Sequence, residues 1–150
     1  MNLIFNIVLV IAAFLFMEFV AWFTHKFVMH GFLWVLHKDH HIRDGRKVEW
    51  NDVFAIMFAL PSILLIYFGV MRPDNIMLSI GIGIALYGFS YFMFHDIYVH
   101  QRIKILSGFS NRYLRATVKA HKEHHNPKAH YNFGFLIAPF KYYREEFHSK

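Results

Sequence analysis

Three apolar runs govern what this chain can become. Leu3–Phe23 is broken only by Asn6 and Glu18. Its twenty-one residues, at about 1.5 Å each, make a helix of roughly 31 Å, one hydrocarbon thickness. Val53–Val70 is a second run, with Pro61 expected to kink it inside a bundle, and Ile76–Phe94 is a third. Only Met71-Arg72-Pro73-Asp74-Asn75, a tight polar turn, separates the second run from the third. In hydrocarbon no water satisfies backbone N–H and C=O groups, so runs of this length must be helical. A cleaved signal peptide is not indicated. The N-terminus has no basic n-region and no small-residue cleavage site, and the first helix is expected to run on into a histidine motif.

Charge orients the spans. Lys26, Lys38, Arg43, Arg46 and Lys47 lie between spans one and two, and Arg102, Lys104, Arg112, Arg115, Lys119, Lys122 and Lys128 follow span three. The 71–75 turn carries only Arg72. The positive-inside rule makes the basic segments cytoplasmic. The formal charge of +6 is thereby explained by topology, and no nucleic-acid motif accompanies it. The expected fold is one all-α membrane domain over residues 1–150: a helical bundle of three clear spans with a His-rich helical cap on the cytoplasmic side.

The chain has twelve histidines and no cysteine. Disulfides, thiolate zinc sites and Cys-ligated iron–sulfur clusters are excluded. Eleven of the histidines fall in three stretches, 25–41, 95–100 and 121–130. Ten of these read His25-x4-His30, His37-x2-His40-His41, His95-x4-His100 and His121-x2-His124-His125. Topology places all ten at the cytoplasmic ends of spans one and three or in the segment that follows. Residues three and four apart share a helix face, so each HxxHH set can converge on a small volume. Adjacent histidines diverge by about 100°, so each pair can serve two metals. Five residues span about 140° on an ideal helix. His25/His30 and His95/His100 therefore need a helix end, a π-bulge or two metals between them.

Neutral imidazoles suit Fe, Zn, Cu or Ni. A structural zinc needs only four closed ligands. Two octahedral irons offer twelve positions, of which ten imidazoles leave about two for oxygen or a bridging group. No His-Glu dipeptide occurs, so the HExxH metalloprotease motif is absent. Metal-bound histidines usually give their other N–H to a carboxylate or carbonyl. Asp39, Asp96, Glu123 and Glu18 are the candidates for that role. The first three can equally be solvated charges, and Glu18, inside a span, can equally bond a neighbouring helix. His130 is a weak further ligand candidate, and His148 reads as a surface residue.

These motifs, in this order, resemble the membrane fatty-acid hydroxylase and sterol desaturase superfamily. Within it the chain looks like the bacterial β-carotene 3-hydroxylases. The narrower likeness rests on Glu49-Trp50-Asn51-Asp52, on His95-Asp96-Ile97-Tyr98-Val99-His100-Gln101-Arg102 and on Asn132-Phe133-Gly134-Phe135-Leu136-Ile137-Ala138-Pro139. Some relatives are drawn with four spans, which leaves four as the alternative count. The resemblance implies a non-haem di-iron monooxygenase with the ten motif histidines as ligands. It implies O2-dependent hydroxylation at C3 of the β-ionone rings, taking β-carotene to zeaxanthin through β-cryptoxanthin. Ferredoxin and its reductase would supply electrons, since the chain lacks G-x-G-x-x-G. The basic face can attract an acidic donor or simply anionic lipid.

A long polyene partitions into the bilayer, so an enzyme acting on it meets it there. Trp22, Phe23, Trp34, Phe92, Phe94, Phe133 and Phe135 can line an apolar slot, although aromatics crowd membrane interfaces for unrelated reasons. Gly81, Ala85 and Gly88 favour close helix packing or, alternatively, a tunnel wall. Other readings are a hydroxylase or desaturase acting on a fatty acyl chain or sterol, and a metal or proton transporter. A transporter needs ionisable groups near the midplane, where only Glu18 lies deep.

Overall fold

The computed structural model describes residues 2–42, 48–106, 108–126 and 131–148. Arg43, Arg46, Lys47, Lys128 and His130 lie outside the described residues. Helix α1 spans Leu3–Phe23, opened by Asn2, whose side chain accepts the Ile4 N–H. It passes without a break into a π-helical segment, Thr24–Phe32. The apolar rod is therefore Leu3–Phe32, and the helix does enter the first histidine motif. The non-helical backbone of Gly31 (φ −101°, ψ −124°) ends this rod and turns the chain into α2, Trp34–His41.

Helix α3, Asp52–Val70, remains one helix through Pro61. The 71–75 turn is as tight as its composition implies. Asn75 takes the left-handed conformation (φ 56°), and Asp74 accepts both the Ile76 N–H and the Arg72 guanidinium. Helix α4, Ile76–Tyr91, returns and again changes to π-helix, over Phe92–Val99. Helices α5, Arg112–His124, and α6, Phe140–His148, complete the cap. Asn111 caps α5 through the Leu114 N–H. Ala116 and Ala120 of α5 pack on Ala138 and Tyr142, the latter on α6.

Three helices are long and apolar enough to cross a membrane: Leu3–Phe32, Asp52–Val70 and Ile76–Val99. Among the described residues there is no fourth. Their outward faces are apolar, with Leu3, Phe16, Ile63 and Phe89 among the exposed side chains, as a lipid-facing surface requires. Glycine lets the spans approach closely. A Cβ on Gly81 would meet Ile66 Cγ1 at 2.8 Å, and one on Gly83 would meet the Val10 carbonyl oxygen at 2.5 Å. Helix α4 thus sits between α3 and α1, and the histidine-bearing ends of the rods gather at one end of the bundle.

Candidate metal centre

The five-residue spacing is resolved by the backbone. In a π-helix the N–H bonds to the carbonyl five residues back, so residues five apart sit roughly one above the other. The His100 N–H reaches the His95 carbonyl in this way at 2.9 Å. The paired rings come close together at steep angles, with centroids 5.0 Å apart for His25/His30 and 4.5 Å for His95/His100. Each x4 pair therefore points into one site rather than two.

Two groups result. His25, His30, His37, His41 and His124 each bring one ring nitrogen to within 4.8 Å of the others. His40, His95, His100 and His121 do the same in a second group. The adjacent pair His40/His41 is split between the groups. The HxxHH sets do not converge as units: His37 and His40 fall on different sides, as do His121 and His124. His125 packs against both sides, with ring centroids 4.3 Å from His41 and 4.6 Å from His121.

The donor sets fit metal ions. Nε2 atoms approach at 3.2 Å (His25/His37), 3.1 Å (His37/His41), 3.0 Å (His30/His124) and 2.9 Å (His100/His121). With a metal–nitrogen bond of ~2.1 Å, neighbouring corners of an octahedron lie ~3.0 Å apart, whereas tetrahedral corners lie ~3.4 Å apart. The Nε2 atoms of His40 and His95 are buried with no hydrogen-bond partner, a costly state that a metal bond would relieve.

The opposite nitrogens are held. Carbonyl and carboxylate oxygens can only accept, so Nδ1 carries the proton wherever it meets one. His25 donates to the Phe133 carbonyl (2.9 Å), His124 to that of Tyr131 (2.9 Å), His40 to Glu49 (2.9 Å) and His95 to Asp96 (2.9 Å). His37 donates to Asn51 Oδ1 at 2.6 Å. In all five, Nε2 is left unprotonated and faces inward, the arrangement that ligating histidines need. Burial, then the neighbouring imidazoles, pushes His40 and His121 well below the ordinary histidine range. His41 falls to about 2 for the same reasons. Burial takes His37 to about 3 despite the opposing Asn51 bond. Near neutral pH these rings are uncharged, the form that binds metal.

The carboxylates distribute unevenly. Asp96 does bond a histidine, its chain neighbour His95. Asp39 accepts the Trp50 N–H. Glu123 accepts from the Tyr142 hydroxyl on α6. Glu18 accepts from the Tyr87 hydroxyl on α4 and from three backbone N–H groups, at Phe135, Leu136 and Ile137. Glu49, Asn51 and Arg102 join the site as partners that the histidine spacing does not point to. Arg102 clamps Glu49 (2.7 Å) and Asp52 (2.8 Å) and lies 3.9 Å from Asp96, so one guanidinium ties together the acids behind His40 and His95. The acidic Glu49–Asp52 segment was a signal available in the sequence. The carbonyls of Tyr131 and Phe133 carry none.

An apolar cavity of about 400 Å³ ends beside both groups. Its inner end holds Tyr91, stacked on His95, and Phe135, stacked on His25. Its rim at Ala55, Ala59, Ala85 and Gly88 is exposed on the lipid-facing surface. Gly81 therefore serves helix packing, while Ala85 and Gly88 form wall. Of the seven aromatics expected near a slot, Phe92 and Phe135 line this cavity. Trp34 and Phe133 pack on the histidines, and Trp22 and Phe23 join an aromatic row with Phe19 and Phe27. Phe94 packs on Tyr98 and Tyr113.

The profile of the family described as fatty acid hydroxylase matches residues 10–142, a stretch that contains all ten clustered histidines. The chain belongs to the fatty acid hydroxylase family. Among relatives of this fatty acid hydroxylase family member, the beta-carotene hydroxylase of Pantoea ananas is 40% identical, covering 91% of the chain and 79% of its own length. That of Pseudescherichia vulneris is 37% identical, covering 89% and 77%. The chloroplastic beta-carotene 3-hydroxylase 2 of Arabidopsis thaliana is 36% identical over 75% of the chain and 38% of its own length. No solved structure matches the chain. With three membrane-capable helices, this family member is an integral membrane protein whose histidine groups can hold metal.

Proposed function

We propose that the chain is a non-haem di-iron β-carotene 3-hydroxylase, converting β-carotene to zeaxanthin through β-cryptoxanthin. The observation that carries this reading is the pair of inward-facing Nε2 groups set beside an apolar cavity open to the bilayer. His25, His30, His37, His41 and His124 would hold one iron. His40, His95, His100 and His121 would hold the other, with His125 between them. Bound iron would activate O2, so that one oxygen atom enters a C–H bond and the other leaves as water.

The residues of the chain supply the rest. Glu49, Asp96, Asn51 and the two carbonyls keep the histidine protons on Nδ1. The rim at Ala55, Ala59, Ala85 and Gly88 admits a flat apolar ring from the lipid. Tyr91 and Phe135, in edge contact at 4.8 Å, stop that ring beside the histidines and exclude water. Hydroxylation consumes two electrons and two protons. We assign them to reduced ferredoxin and its reductase, because the chain has no flavin or nicotinamide motif. The excess of Lys and Arg in the segments that carry the histidines supports a site on the cytoplasmic side of the bacterial inner membrane. A polar recess lined by His41, His100, Gln101, His121, Lys122 and His125 offers the donor an approach from water.

Production in a β-carotene-making host tests the reading. Hydroxylated carotenoid is expected by chromatography, together with iron in the purified protein. Unchanged β-carotene beside inserted, iron-loaded protein would refute it. Lipid mass spectrometry of the same cells would then report a fatty acyl or sterol product.

A further inference from the structure

Glu18 is the one acid deep within a span, and the metal groups do not touch it. Its carboxylate accepts from one stretch of backbone and from one hydroxyl. Oε1 accepts the N–H groups of Phe135 (3.1 Å), Leu136 (3.1 Å) and Ile137 (3.1 Å), and Oε2 accepts the Tyr87 hydroxyl (2.7 Å). Residues 131–139 form no helix or strand. Irregular backbone at membrane depth persists only where its polar groups are satisfied, and Glu18 satisfies three of them at once.

The same segment touches both the metal groups and the cavity. The Phe133 carbonyl holds Nδ1 of His25. Phe135 stacks on His25 (4.6 Å, 19°), meets His95 at 5.3 Å and lines the apolar cavity. Between them Gly134 makes a turn so close that a Cβ there would lie 2.5 Å from the Ile137 carbonyl oxygen and 3.5 Å from Glu18 Oε1.

We propose that Glu18 is a positioning residue: by gripping the 135–137 backbone it sets the Phe133 carbonyl that aims His25 and the Phe135 ring that walls the substrate cavity. Its role is that of a hydrogen-bond acceptor and not of a charge or a proton relay. The substrate part of this inference rests on the hydroxylase reading. The metal part stands on geometry alone.

The two roles separate by substitution. Glu18→Leu removes every acceptor. Glu18→Gln keeps one oxygen for the three N–H groups and offers its amide N–H to the Tyr87 oxygen. Metal-stripped full-length protein in detergent is titrated with cobalt(II), and β-carotene turnover is measured on the iron-loaded protein. In E18L one of two cobalt-binding steps is expected to weaken about 10- to 100-fold, as when a group orienting a ligand is lost. The other step should hold, and turnover should fall with the first. E18Q should match the unsubstituted protein in both. A merely structural role would lower yield or melting temperature and leave both steps equal in the folded fraction. If E18L fails to insert, Gly134→Ala keeps Glu18 but forces the segment away from it, and the same single-step weakening is expected.

Unaltered cobalt binding and turnover in E18L, or in G134A where E18L does not insert, would overturn the proposal. An E18Q as impaired as E18L would also overturn it, because charge would then be what matters. An unsubstituted protein that binds two cobalt ions but leaves β-carotene unchanged would sink the substrate assignment alone. One that binds no cobalt would sink both.

Discussion

Replacing Asn51 by Leu tests whether the outer hydrogen bonds of the centre do what the geometry implies. Asn51 Oδ1 lies 2.6 Å from Nδ1 of His37. Asn51 is 5% exposed and His37 2%, so water cannot substitute. Asn51 stands at the start of α3 but its side chain makes no capping bond, so the change costs no helix cap. Leucine has nearly the same shape and no acceptor. The stranded N–H of His37 costs about 1–3 kcal/mol, which at about 1.4 kcal/mol per tenfold is roughly a 5- to 150-fold loss of affinity for the metal that His37 serves. That range overlaps the 10- to 100-fold typical of a lost partner behind a metal ligand, an independent figure. Competition against a chelator in purified, inserted protein measures the loss. Circular dichroism confirms that α3 persists. Asn51→Asp, which restores an oxygen at the same place, should recover affinity. An N51L protein with unchanged affinity would refute the idea that Nδ1 pinning prepares the centre.

Four further outcomes are expected. His40→Ala or His124→Ala should abolish hydroxylation while membrane insertion persists, and near-normal product in either variant would remove that residue from the ligand set. Gly88→Phe, at a position where a Cβ meets open space, narrows the cavity rim. It should lower β-carotene conversion while iron content stays constant, both read on the same preparation. Gly83→Ala forces a methyl against the Val10 carbonyl and Ala13 and should cost about 1–3 kcal/mol of stability, seen in denaturant or thermal unfolding. In the metal-free protein, folded His37 titrates at about 3, while an unfolded histidine titrates near 6.5. The unfolded chain therefore binds more protons between those values. The contribution to stability is complete above about pH 6.5 and is lost progressively toward pH 3, a trend that melting temperature against pH will show or deny.

Much of the architecture is legible in the residues. Lengths of apolar sequence specify three rods, because hydrocarbon leaves backbone polar groups no partner outside the helix. The polar turn at 71–75 makes α3 and α4 a hairpin, and this brings His95 and His100 back to the end where α1 delivers His25 and His30. Gathering ten imidazoles at one end is therefore a consequence of the order of apolar and polar segments.

Which imidazoles share a site is a different matter. His40 and His41 are adjacent in the chain yet face different groups, and His121 and His124, spaced to share a helix face, are divided as well. Spacing along one helix gives an angle, but a ligand set is defined by which other helices stand at that angle. The π-helical turns at 24–32 and 92–99 rotate His25 onto His30 and His95 onto His100, and only the packed bundle distinguishes that outcome from a helix end. The outer partners follow the same logic. Glu49 and Asn51 reach His40 and His37 from the short stretch that leads into α3, and the Tyr131 and Phe133 carbonyls belong to the backbone, which every residue possesses. Local sequence sets the direction in which a side chain leaves its helix. Tertiary packing alone decides what it meets, because the contact energy resides in pairs of groups that are distant along the chain.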